Sequence, residues 1–181
     1  MSNQILLWSM LVLPWLTLIF MNKEDIKRFT PVGVFTALTS VLIGDVGVTF
    51  GLWIHQQTAY PFQSVMPFDI GLNLILTMWI FKYTYGRFRK YFVVNLLLDI
   101  GFNTIFFGRF LPSRDILHVV GGTPLQMLVI TLSHAILIYG YQIWQEKIFV
   151  MSEKTSYRAN LQPAAAKPLQ DKKENQSKDE Q

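Results

Sequence analysis

Residues 75–94 read Ile75-Leu-Thr-Met-Trp-Ile-Phe-Lys82-Tyr-Thr-Tyr-Gly86-Arg87-Phe-Arg89-Lys90-Tyr-Phe-Val-Val94. An apolar run stops at a turn rich in cations and aromatics, and a second apolar run follows at once. The surface helices of a soluble domain carry charge along a whole face. Here the charge is confined to the turn. Two bilayer spans joined at the headgroup level produce this pattern, because Lys and Arg collect in the loop while Tyr and Trp sit at the interface.

Outward from this junction the pattern repeats. Apolar segments run from Ile5 to Met21, from Thr30-Pro31 to Ile54, from Pro67 to Tyr85, from Tyr91 to Phe110, and from Thr123-Pro124 to Trp144. At ~1.5 Å per residue each approaches or exceeds a hydrocarbon core ~30 Å thick. Backbone groups cannot be hydrated inside a bilayer, so continuous apolar runs must be helices. Thr-Pro opens two of the segments, with the hydroxyl suited to capping and Pro to the first helical position. The expected fold is all-α, an integral membrane bundle of about five transmembrane helices over 1–150. A polar, disordered cytoplasmic tail is expected over 151–181, where Gln, Lys, Glu and Asn dominate. The first segment lacks a preceding cation and a small-x-small site, and reads as a retained helix.

Composition agrees with this reading. The 181 residues are 51% hydrophobic and only 15% charged, with a net charge of +4. The cations fall between apolar runs, which fits topology and a lipid surface better than a nucleic-acid footprint. Counted by loop, 14 lie on one side of the bundle and 2 on the other if the N-terminus is outside. The expected topology is therefore N-out/C-in in a cell membrane, with the lipid bilayer and its anionic cytoplasmic headgroups as partners. Tyr83, Tyr85, Tyr91, Tyr141 and Trp144 would form one interfacial belt, and Trp53 and Tyr60 the other. The stretch from Pro112 to Val120 is expected to be a short interfacial helix.

Chemistry is sparsely encoded. There is no Cys, which excludes disulfides and thiol catalysis. His55, His118 and His134 lack metal-ligand spacing, and neither a nucleophile elbow nor a phosphate-binding glycine loop is present. No enzyme, cofactor or metal is expected.

Polar residues within the spans are the candidate site. Asn95, Asp99 and Asn103 form one stripe at i, i+4 and i+8, and Asp69, Asn73 and Thr77 form another. His134 on the fifth segment and Asp45 on the second make four segments that bring polar groups to one slab, with Asp45, Asp99, Asn103 and His134 ~12–18 Å below the outer surface. The candidate cluster is Asp45, Asn73, Asn95, Asp99, Asn103 and His134. Ionisable groups there must face each other or water, since even a mild insertion scale sets a bare carboxylate at ~2.5–3.5 kcal/mol. Two readings compete. Either these groups hydrogen-bond across helices and hold the bundle together, or they line a pocket for a proton, a cation or a small polar solute. The first needs fewer assumptions and points to a structural or interaction component of the envelope with a membrane-protein partner. The second points to a small transporter or channel. Ser40, Gly44, Gly47 and Gly51 share a face of the second segment roughly 130° from Asp45, and are expected to be a helix-packing face.

The segment from Leu72 to Gly101, with its Trp79-Ile-Phe-Lys82-Tyr-Thr-Tyr-Gly86 turn and Asn95 one turn before Asp99, resembles small multi-pass membrane proteins of endospore-forming Gram-positive bacteria, an uncharacterised family. Leu137-Ile-Tyr-Gly-Tyr-Gln142 and Pro14-Trp15 are similar as well. The resemblance implies a bacterial cell membrane. It implies no activity, substrate or site residue.

Overall fold

In the computed structural model, residues 3–62 and 65–161 are described, with side chains to Phe149. Helix α1 spans Asn3–Leu16 and ends in a 3-10 turn, Thr17–Phe20. Helix α2 spans Lys23–Thr49, α3 Leu74–Thr84, α4 Phe88–Gly101 and α5 Pro124–Leu161. A π-helical segment, Asp69–Asn73, leads into α3, and another, Phe102–Phe110, continues α4. The chain divides into two units, Met1–Gln142 and Ile143–Gln181. The described part of the second is the remainder of α5.

Among the described residues, four helical stretches are long and apolar enough to cross a membrane: Asn3–Phe20, Lys23–Thr49, Phe88–Arg114 and Pro124–Phe149. The fifth expected segment is helical over 67–84, roughly 25 Å. Apolar side chains cover the outer faces, among them Leu38, Leu42, Leu97, Ile105 and Val129, each more than half exposed. Such a surface suits lipid.

Several boundaries move, each for a local reason. α2 begins at Lys23 rather than at Thr30-Pro31, with Asn22 extended at the N-cap position and Glu24 and Asp25 in the first turn. Acidic residues there complement the helix dipole, so Pro31 lies inside the helix. α2 stops at Thr49, short of Ile54, because Gly51 takes φ +67° and turns the chain. Pro124 does open α5. The Gln126 N–H donates to Thr123 Oγ1 at 3.3 Å, and the Thr123 N–H donates to Gln126 Oε1 at 2.9 Å, a reciprocal capping box. α5 runs to Leu161, past the boundary drawn at 150; residues 162–181 lie outside the described ones.

The expected interfacial helix at Pro112–Val120 is replaced by a 3-10 turn, Pro112–Arg114, and a strand β2, Leu117–Val119. β2 pairs antiparallel with β1, Trp53–His55, in the register Trp53↔Val119, Ile54↔His118, His55↔Leu117. This small sheet caps one end of the bundle. α1 is stitched to the cap loops by side chains. Asn3 Nδ2 donates to Gln57 Oε1 at 3.0 Å and to the Arg114 carbonyl at 2.7 Å, and Gln4 Nε2 donates to the Thr58 carbonyl at 2.9 Å.

Two apolar cores result. One, at the cap end, gathers Leu7, Trp53, Met66, Phe68, Leu111, Leu117 and Met127. The other, near the Arg87 turn, gathers Phe29, Val32, Leu74, Met78, Phe81, Tyr91 and Tyr139. Trp53 and Tyr91 are thus buried core residues rather than members of an aromatic belt. The closest backbone approaches are among α1, α2, α3 and the first π segment. Gly71 makes one of them possible, since a Cβ there would overlap the backbone of Met10 and Leu11. Between the two cores lies the polar layer.

Candidate functional site

The polar layer surrounds a cavity of about 180 Å³. A water needs at least ~10–15 Å³ of such space, so this is room for several. Its walls come from α2, both π segments, α3, α4, α5 and the sheet cap. Asn73, Asn95, Asp99, Asn103 and His134, drawn from four separate helical segments, all line it. The stripes at helical spacing therefore face inward, as their spacing predicts. Each π segment contributes lining residues, Asp69 and Asn73 from the first and Phe102, Asn103 and Phe107 from the second. The wider π turn is found often at functional sites.

Asp45 is the exception. It is exposed and absent from the lining. α2 can turn only one face inward. The small-residue face takes that position: Ser40 and Gly44 border the cavity, and a Cβ on Gly47 would overlap the Trp53 ring. Asp45, roughly 130° around the helix, is turned out as a consequence. It lies one turn from the end of α2, ~6 Å, where a carboxylate can reach polar surroundings. Gly51 does not belong to the packing face. It follows the helix as a turn residue with nothing near its Cβ position.

Among the described residues, hydrogen bonds tie the walls together. Asn73 Nδ2 donates to Ser40 Oγ at 2.8 Å, joining the first π segment to α2. Tyr91 OH donates to the Ala135 carbonyl at 2.9 Å, joining α4 to α5. Thr39 Oγ1 and His134 Nε2 lie 2.6 Å apart, joining α2 to α5. The Thr39 hydroxyl is also 2.8 Å from the Phe35 carbonyl. If its proton goes there, Nε2 is the donor to Thr39 and Nδ1 is left as an acceptor.

Other polar atoms in the lining are left open, although the Asp99 carboxyl also meets the Thr131 hydroxyl between α4 and α5. Asp99 Oδ2 and Asn103 Nδ2 are buried without a hydrogen bond, an acceptor and a donor one helical turn apart. Asp69 is 7% exposed, and its carboxylate makes no hydrogen bond or ion pair among the described residues. Buried polar atoms left open in this way are rare and are met by water or a ligand.

The sequence-based cluster omitted Asp69, which sits at the very start of its helical segment. The signal was present, because Asp69, Asn73 and Thr77 are spaced four apart and all three line the cavity. Thr36 and Thr131 also line it. Their hydroxyls are bonded to their own helices, at Val32 and Leu128, a pattern common to buried Thr that carries no functional signature in sequence.

No protein-family model, curated protein or solved structure matches this chain.

Proposed function

We propose that the chain is a five-span protein of a bacterial cell membrane that holds a small polar solute in an intramembrane cavity and carries it across. The N-terminus is outside and the tail cytoplasmic, following the distribution of Lys and Arg between loops. The observation that carries the reading is the open hydrogen-bonding capacity of Asp99 Oδ2 and Asn103 Nδ2, with the buried Asp69 beside them, around a cavity large enough for a ligand. A network that served only to join helices would be closed on itself. Intramembrane carboxylates that face a cavity mark solute or ion paths, and broken or irregular helices border the binding sites of many carriers. Both features are present where the π segments meet the cavity.

The interhelical bonds of Asn73, Tyr91 and His134 favour a second reading, a structural or assembly component of the envelope. Those bonds, with the Asp99–Thr131 hydrogen bond, account for some of the polar layer but leave Asp69 without a partner among the described residues.

Stopped-flow light scattering separates the two. Proteoliposomes are given an osmotic gradient of small neutral, cationic or anionic solutes, and re-swelling reports entry. Carrier activity accelerates re-swelling for at least one solute over protein-free vesicles, and Asp99→Asn changes that rate at equal membrane abundance. Equal rates for every solute, with the protein folded, would leave the structural reading. Loss of abundance in both Asp99→Asn and His134→Ala would make those residues helix glue.

A further inference from the structure

The lining of the cavity is chemically one-sided. Asp69 and Asp99 reach it, and among the described residues no Lys or Arg does. Asp69 is more than nine-tenths buried, lacks a partner among the described residues, and has its Oδ2 about a van der Waals contact from where a Gly44 Cβ would lie. The remaining polar lining is neutral, the side-chain amides of Asn73, Asn95 and Asn103 and the hydroxyls of Ser and Thr, with the Asn73 and Asn95 Nδ2 groups already donated to Ser40 Oγ and the Tyr91 carbonyl. His134 and His55 also border the space. The His134 ring is engaged with Thr39.

The same space is walled by aromatic rings, Trp53, Phe68, Tyr91, Phe102 and Phe107. Phe68 stands edge-on to Phe102 and Phe107, with centroids 6.2 and 5.5 Å apart. Ring faces attract cations, most strongly where water is excluded, and a carboxylate pairs with an ammonium by a charge-assisted hydrogen bond.

We infer that the solute of this cavity is a small organic cation, an amine carrying an apolar group, held by Asp69 and Asp99 with its apolar part against the aromatic wall. This rests on the solute-binding reading above and specifies its ligand. An anion would meet two carboxylates and no cationic side chain. A bare metal cation finds no cluster of three or more carboxylate or imidazole ligands among the described residues. An alkyl- or arylammonium uses both halves of the lining.

Isothermal titration on the full chain in lipid nanodiscs tests it with three probes of similar shape: benzylamine, benzyl alcohol and benzoate. At about pH 8 an imidazole is ordinarily neutral and an alkylamine protonated. Benzylammonium is expected to bind at least tenfold more tightly than benzyl alcohol, with no binding of benzoate. Asp69→Asn is expected to remove most of that preference. Phe107→Leu, which keeps the apolar bulk but not the ring, is expected to weaken benzylammonium severalfold and leave benzyl alcohol unchanged. The comparison of probes on the unaltered protein holds whatever the variants do to folding. Equal binding of benzylamine and benzyl alcohol, or tighter binding of benzoate, would overturn the cation assignment and leave the cavity as a solute site. Failure of all three to bind would overturn the solute-binding reading with it.

Discussion

The indole of Trp53 lies across Gly47, so close that a Cβ on the glycine would overlap the ring, and its Nε1 donates to the Gly44 carbonyl at 3.2 Å. This contact ties the sheet cap to α2 and fixes which face of α2 looks inward. Gly47→Ala is therefore expected to push the indole away and destabilise the protein by about 1–3 kcal/mol, the usual range for overpacking. Thermal unfolding in detergent, followed by tryptophan fluorescence, measures it.

At Gly71 the obstacle is backbone rather than a side chain. Gly71→Ala would drive α1 away from the first π segment, and an expected loss of about 3 kcal/mol makes it at least as damaging as Gly47→Ala. Gly140 is the control. Nothing lies within 4 Å of its Cβ position, so Gly140→Ala is expected to be neutral or stabilising by about 0.5–1 kcal/mol, as for an unhindered glycine inside a helix. The three variants, unfolded side by side, should rank in that order.

Tyr91→Phe removes only the hydroxyl that donates to the Ala135 carbonyl. The ring keeps its neighbours, with the Tyr139 centroid 4.8 Å away and Phe81 5.1 Å away. The expected loss is about 0.5–1.5 kcal/mol, the net worth of one buried hydrogen bond. A loss above about 3 kcal/mol in the same unfolding assay would mean that the α4–α5 junction depends on Tyr91 for more than this bond.

Asp45 and Asp69 make opposite predictions from the same residue type. Asp45→Asn alters an exposed position outside the cavity, and is expected to change stability by less than about 0.5 kcal/mol and to leave solute re-swelling rates as they were. A re-swelling defect in Asp45→Asn would place that carboxylate on the solute's path and contradict the outward orientation of its face.

The sequence revealed some of these features and hid others for definable reasons. The long apolar helices were legible because apolar runs are long and the cations sit in tight clusters such as Arg87–Lys90. The inward stripes of Asn95, Asp99 and Asn103 were legible because side chains four apart share a helix face. α2 was harder. It carries a small-residue face and a carboxylate face, and periodicity cannot say which turns in. That choice was made by Trp53, a residue beyond the helix end whose ring needs the space at Gly47. The sheet cap was hidden for a related reason: strands of three residues show no periodicity, and β1 finds its partner only across the fold, at Leu117–Val119. Pro31 misled because Pro favours a first helical position, while Glu24 and Asp25 had already supplied a start. Asp69 was read in its stripe with Asn73 and Thr77 but left out of the candidate cluster, because it stands at the edge of its segment.

The central claim is that Asn103 borders a hydrated cavity inside the bundle, and the chain's lack of Cys allows a direct test. Single-cysteine variants Asn103→Cys and Leu97→Cys, the latter at a position 65% exposed on the apolar exterior, are treated in native membranes with a membrane-impermeant cationic thiosulfonate. The expected result is labelling of Asn103→Cys at least tenfold faster than Leu97→Cys, with protection by benzylamine. Equal, negligible labelling at both positions would mean a dry interior and contradict the cavity as a solute site.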